Sequence, residues 1–520
     1  MKEKQYKNII VILIFLGLLL TIGTSYALWQ ITLKQADENK LTTSCFRINF
    51  KDQDSINLTD AYPMSDEEGK KLKPYTFTIT NTCNTHATYQ VNLEILNNTT
   101  LENIGLIKTS FNEKSPSILT DYLTVDNTLE NAITSRKLEN GYLFPNEEKT
   151  FTLNLWIGER IENQEDIINK MFNSKVTIIT SFLKEKPSYA SVITNCSNNG
   201  YKMAECMLDN SKYDTENLVF DSTSDNNLRY VGKNPNNYID FNNEKWRIIG
   251  VMNNVEDITG KTSSHLKIVR DTSIGEYSWD SSASNINDGY GINEWSQADL
   301  MKLMNPGFEN EAIGGSLYWN RKSGTCYAGM SNAVKSCNFE TTGLTEEYKE
   351  MIDDVIWHLG SNSVSDKYNN LASEFYEFER GEITGKTCNV WSRCNDTVER
   401  TTKWLGKVGI IYVSDYAYAT NGESKRDTCL DITLYNWNNS NSYCYNDDYL
   451  YKGVQQFSLS PYSNTLAAGY VFSIQPTFVA TGRASLVENV YPSLYLKENV
   501  KITSGDGSND DPYHLEFTNN

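Results

Sequence analysis

Apolar and polar residues alternate with period two through much of the first third of the chain. In "YTFTITN", Tyr75, Phe77 and Ile79 fall on one side and Thr76, Thr78 and Thr80 on the other. "TYQVNLEIL" repeats the pattern with Tyr89, Val91, Leu93 and Ile95, and "KTFTLNLWI" with Phe151, Leu153, Leu155 and Ile157. "KVTIITSFL" closes the series. Such segments, separated by Asn, Gly and Pro turns, predict half-buried antiparallel strands packed as a β-sandwich over residues 41–183. The only helix this region suggests is "NQEDIINKMF", Asn163 to Phe172.

The pattern changes at both ends of that module. Before it, Lys2, Lys4 and Lys7 precede an uncharged apolar run, Ile9 to Trp29, that ends in the small-x-small triplet Ser25-Tyr26-Ala27. That layout fits a signal peptide cleaved between Ala27 and Leu28, and the run is equally long enough for an uncleaved membrane anchor over residues 9–29. Both readings stay open, and both put the rest of the chain on the extracellular face, secreted or anchored. After the module, Pro187 and the polar run "KEKPSYASVITN" predict a linker over 184–195.

Residues 196–515 mix periods. "NYIDFNNEKWRIIGVM" and "HLKIVRDTSIGEYSWD" read as strands. "SQADLMKLMNP" reads as a helix with Ser296 as N-cap, Asp299 closing a capping box and Pro306 ending it. In "TEEYKEMIDDVIWHLG", Tyr348, Met351, Ile352, Val355, Ile356 and Leu359 recur at helical spacing, with Gly360 at the C-cap and His358 beside the stripe. "GKVGIIYVSDYAYAT" predicts a buried strand running into a short helix capped by Ser414, and only strands are expected after Cys444. The expected fold class is therefore mainly β with an α+β distal part.

Cysteines and charge narrow the picture. The ten cysteines are Cys45, Cys83, Cys196, Cys206, Cys326, Cys337, Cys388, Cys394, Cys429 and Cys444. No CxxC or CxC pair occurs and His86, His265, His358 and His514 are scattered, so zinc spacing is absent and no metal ligands are expected. An even count in an exported chain reads as a disulfide framework, most economically paired in sequential order. The net charge of −19 argues against nucleic acid. It is uneven: 20 basic and 23 acidic residues precede residue 187, and 27 and 43 follow.

"FTITNTCNTHATYQVNLEI" with "LFPNEEKTFTLNLWI" resembles the camelysin and TasA-like secreted sandwiches, which implies a jelly-roll-like fold. In that group the fold serves matrix-fibre subunits or a reported metallopeptidase, but this chain has no HExxH to support peptidase activity. "WRIIGV", "INEWSQADLMKLMNPG", "GGSLYWNRKSGTC" and "YPSLYLKENVKITSGDGSNDDPYHL" resemble an uncharacterised module repeated across surface proteins of gut Bacillota. Its layout in turn resembles C-type-lectin-like modules of the formylglycine-generating-enzyme and major-paralogous types. The enzyme branch holds copper with a reactive cysteine pair. Here every distal cysteine has a local partner, so that activity is not carried over.

Candidate sites follow. Glu374, Glu377 and Glu379 in "ASEFYEFERG" emerge too close together for a glycosidase pair and read as a solvated charged face. The turns Asn285–Asn293 and Ser504–Asp511 could gather oxygens for calcium but match no EF-hand register, so no cofactor is expected. Trp279 and Tyr443, with Trp295, Trp319, Trp391, Tyr416, Tyr418 and Trp437, sit in polar contexts; the last six form the expected ligand-contacting set. The expected function is cell-surface recognition or adhesion, binding a glycan or protein ligand. A matrix or fibre subunit is the alternative, and an extracellular enzyme the third.

Overall fold

The computed structural model describes residues 30–34, 40–43, 46–50, 56–59, 61–159, 166–360, 370–381, 400–437, 442–462, 469–476 and 478–517. The chain divides into two compact units at Pro187/Ser188. Both are rich in β-structure. Among the described residues no helix is long and apolar enough to cross a membrane. The expected signal or anchor, with Ala27 and Leu28, lies outside the described residues, as do Cys45, Cys388, Cys394 and Trp391.

The first unit holds two sheets. One has six strands, ordered Gln30–Lys34, Met171–Phe182, Ala87–Leu96, Ala132–Leu143 and Thr124–Val125, with Ile56–Thr59 also on Met171–Phe182. The other has seven, built round Phe46–Phe50, Tyr75–Asn81, Glu148–Gly158 and Ile107–Phe111. One apolar cluster takes Phe77, Ile79 and Phe151 from one sheet and Tyr89, Val91, Leu93 and Ile95 from the other. Phe77 and Phe151 are cross-strand partners whose rings stack at 5.1 Å.

Two expectations fail in this unit. The described part of the expected Asn163–Phe172 helix is a turn, and Met171 already begins a twelve-residue strand. β-Branched Val176, Ile178 and Ile179 downstream extend that strand backwards, and Phe172 is drawn into the core. Instead a short helix forms at Asp66–Lys70, where Ser65 and Glu68 close a reciprocal capping box.

The second unit centres on a seven-stranded sheet. Its order is Leu218–Phe220, Leu228–Tyr230, Glu244–Glu256, Thr262–Arg270, Pro492–Tyr495 and Val408–Ile410, with Tyr238–Phe241 added on Glu244–Glu256. A five-stranded sheet contains Glu276–Ser278, Val487–Asn489, Gln456–Pro461, Tyr470–Ile474 and Val479–Arg483. After Cys444, apart from the last residue of a four-residue helix, the named elements are indeed strands.

Four local corrections apply here. Residues 189–195 are helix, not linker: Ser188 caps Tyr189–Asn198, which buries Tyr189, Val192 and Ile193. The expected helix over 345–360 is one turn, Glu346–Lys349, followed by the strand Val355–His358 paired with Lys403–Gly406. Alternate burial of Val355 and Trp357 wins over the helical stripe, because Val355-Ile356-Trp357 favours a pleat and finds a pairing strand in Lys403–Gly406. Ser296 caps no α-helix: Glu294 caps a 3-10 turn over Trp295–Gln297, and the helix proper is Asp299–Met304. The strand-to-helix corner stands at Val408–Ile410 and Val413–Ala419, but Asp415, not Ser414, accepts the Tyr412 N–H at its start.

Candidate binding cleft and the charge network beneath it

Three of the sequential disulfides are present: Cys196–Cys206, Cys326–Cys337 and Cys429–Cys444, with Cα separations of 5.6, 5.9 and 5.5 Å. Cys83 is also disulfide-bonded, and no described cysteine is free. Cys326 and Cys337 staple the hairpin Ser323–Tyr327/Val334–Asn338.

The described members of the aromatic recognition set do not form a surface. Trp295, Tyr416 and Trp437 are at most 2% exposed, and Tyr418 and Trp319 only 4% and 8%. Each spends its ring on the core. Trp295 packs on Trp279 and Trp404, Tyr416 on Trp437, and the Trp437 indole N–H donates to the Cys429 carbonyl at 3.0 Å. Polar neighbours in sequence misled here, because a short-element fold fills its core with large rings where aliphatic runs are scarce.

What the surface does offer is an open polar cleft. It is lined by Thr215, Glu216, Asn217, Asn421, Ser424, Lys425, Arg426, Asp427 and Thr428. One wall follows Asp214, whose carboxylate accepts from the Asn217 N–H and side-chain amide at 3.2 and 3.0 Å. The other is the stretch between the Val413–Ala419 helix and Cys429. Gly422 makes its turn with φ +57°, and a Cβ there would lie 2.6 Å from Cys429 Sγ, so glycine and disulfide are fitted to each other. Arg426 anchors this wall by donating to the Tyr418 carbonyl at 3.2 Å, while its Nε is buried without a described acceptor. Lys425 Nζ lies 4.9 Å from the Tyr443 ring centre.

Beneath the cleft runs a chain of buried charge. The Tyr418 ring lies near two guanidinium groups, 5.7 Å from Arg426 and 5.4 Å from Arg229. Arg229 donates to Asp221 and to Asp415, both at 2.8 Å. Asp415 accepts in turn from Lys267 at 2.6 Å. All four of these side chains are at most 2% exposed. Burial presses the Lys267 amine down to about 8 against the pull of Asp415. Burial alone would raise Asp415, but Lys267 and Arg229 outweigh it and hold the carboxyl at about 2.

The same network absorbs a residue expected at the surface. Of the three glutamates, Glu374 caps its helix, Ala372–Arg380, by accepting the Leu371 N–H, and Glu377 is exposed. Glu379 is 1% exposed and accepts from Ser414 and Ser460, with burial raising its carboxyl. The helix turns its third glutamate inward because its C-terminal end packs on the Val413–Ala419 helix. A solvated face describes Glu374 and Glu377 but not Glu379.

Other polar sites are self-contained. His358 lies on a strand edge, its backbone N–H donating to Tyr412 Oη, and burial presses its imidazole to about 4. Asp299 is pushed up to about 7 by burial and by nearby Asp280. In the Ser504–Asp511 turn, Asp506 accepts the Ser508 N–H at 2.8 Å. In the Asn285–Asn293 turn, Asn287 donates to the Gly291 carbonyl at 2.9 Å. Among the described residues no three His, Cys, Asp or Glu side chains are grouped to hold a metal ion.

Sequence reading missed Asp221, Arg229, Lys267 and Asp415. The signal was present as single charges inside apolar strands, in "NLRYV" and "HLKIV". A charge that interrupts a buried strand needs a buried partner. Neither the family models nor the curated proteins contain a match to this chain.

Proposed function

We propose that this is an exported cell-surface recognition protein that binds a glycan through the polar cleft of its second unit. In this reading the first unit is a jelly-roll-like sandwich following a signal or anchor, and the second is a C-type-lectin-like module. The carrying observation is the cleft itself: its nine lining residues are all polar, and one wall is closed by the Cys429–Cys444 disulfide. Such a wall offers no apolar seat for an alkyl or aromatic ligand. Amide, hydroxyl and guanidinium donors interleaved with carboxylates suit a molecule covered in hydroxyl and amide groups. Disulfide-held loops agree with an oxidising compartment.

The test is binding of the labelled full chain to a glycan array, with release of product from each bound glycan measured in parallel. The reading expects selective binding without turnover. Asn217→Ala and Arg426→Ala should each weaken it about tenfold or more, the loss of one to two good hydrogen bonds. Selective binding unaffected by both substitutions, or no glycan bound at all, would overturn it.

A further inference from the structure

We propose that Lys267 and Asp415 join covalently, as an amide between Lys267 Nζ and Asp415 Cγ, formed within the folded chain. The two groups come from the Thr262–Arg270 strand and the Val413–Ala419 helix, 148 residues apart in sequence, yet Nζ lies 2.6 Å from Oδ2. Their side chains are 1% and 2% exposed. The rings of Tyr412, Trp357 and Tyr495 surround Nζ, with centres at 4.2, 5.0 and 5.3 Å.

Three features set this pair apart from an ordinary buried ion pair. First, an ammonium has three N–H groups, but among the described residues Nζ donates to Asp415 alone. The remaining directions face rings, an enclosure better suited to a neutral nitrogen. Burial already presses the amine towards that form. Second, both Asp415 oxygens are fixed in place: Oδ1 accepts from Arg229 Nη1 at 2.8 Å and Oδ2 from the Tyr412 N–H at 3.0 Å, so Cγ stays beside Nζ when the pair is neutralised. Charge building on Oδ1 during attack would meet the guanidinium. Third, the charges still balance afterwards. Arg229 keeps Asp221 at 2.8 Å, so removing the charges of Lys267 and Asp415 together strands neither.

The step closes on its own atoms. A proton passes from Nζ to Oδ2 along their hydrogen bond, and the freed nitrogen pair adds to Cγ. A second nitrogen proton moves to the Oδ2 hydroxyl, the Cγ–Oδ2 bond breaks, and one water leaves. Lys267 keeps a single N–H and Asp415 a carbonyl that Arg229 still holds. No oxidant, metal or activated cofactor takes part. The ion pair must be neutralised before each attempt, so bonding is slow. It need happen only once per molecule, with contact distance replacing a catalyst.

Peptide mapping of the folded, aged full chain after disulfide reduction decides the matter. The proposal expects one branched tryptic peptide containing both Lys267 and Asp415, lighter than the sum of its two arms by one water. Lys267→Arg should yield two linear peptides. Asp415→Asn should yield a branched peptide lighter than its arms by one ammonia. Linear, unmodified peptides carrying Lys267 and Asp415 from folded wild-type protein would overturn it, whether or not the variants fold.

Discussion

Arg229 carries a permanent charge at 1% exposure, with Asp221 on one side and Asp415 on the other. Replacing it with methionine keeps much of the volume but takes the guanidinium away from the Asp221 carboxylate and from the Asp415 side-chain oxygen. Removing one partner of a buried ion pair costs about 3–5 kcal/mol. Denaturant unfolding of the full chain should show that loss in the transition of the second unit; a change below about 1 kcal/mol would mean the network is not held as described. Asp448 makes a prediction of opposite sense. It is 3% exposed, its Oδ1 accepts the Tyr451 N–H, and its Oδ2 has no described partner. Burial raises its carboxyl to about 8 from an ordinary 3.8. The folded state therefore keeps a proton that the unfolded chain gives up. This contribution is whole below the unfolded pKa and is lost as pH climbs towards about 8. Asp448→Asn removes the titration, so between about pH 5 and pH 8 the wild type should lose up to about 1.4 kcal/mol per pH unit relative to the variant. Parallel pH profiles would contradict this. At this scale the sequence was least informative: Tyr418 and Glu379 have unremarkable neighbours, and the lone charge of Arg229 in "NLRYV" signals a buried partner without saying which.

Elements were legible where one periodicity stood alone. The strands around Phe77, Val91 and Phe151 alternate apolar and polar residues in sequence and are strands, their apolar members in the core; on Ala87–Leu96 the polar members Asn92 and Glu94 are buried too. The segment over 345–360 carried both a helical stripe and a β-branched run, and strand pairing with Lys403–Gly406 decided between them. Tertiary pairing cannot be seen in a single local pattern. Two element-scale predictions follow from close contacts. Gly250 pairs with Arg229, and a Cβ on it would lie 2.0 Å from the Leu228 carbonyl oxygen. Gly250→Ala should push the Leu228–Tyr230 strand away and cost about 1–3 kcal/mol, read by thermal unfolding. An unchanged midpoint would show that this strand has room to spare. The Cys326–Cys337 staple closes a hairpin over a sequence separation of 11. Replacing both cysteines with serine should lower stability by roughly 3 kcal/mol on chain-entropy reasoning. Thiol titration of unfolded, unreduced wild-type protein should find neither cysteine free, and a titratable thiol at either position would remove the staple.

At the scale of the whole molecule, the broad order of elements could be read from the chain, and so could three of the five expected cysteine pairings. Short loops close more readily than long ones, so neighbours in sequence became partners at 196–206, 326–337 and 429–444. The location of the site was not readable. Aromatics were expected to face a ligand, but Trp295, Tyr416 and Trp437 hold the core, and the open surface is polar. The cleft joins residues near 215 and near 425, which only the folded second unit brings together. Hydrogen–deuterium exchange of the full chain, with and without the glycan that gives the strongest array signal, addresses that location most directly. Slowed exchange concentrated in residues 214–217 and 421–428, with the first unit unchanged, is the expected result. Slowed exchange confined to residues 30–187, or spread elsewhere in the second unit while the cleft segments exchange as before, would contradict it.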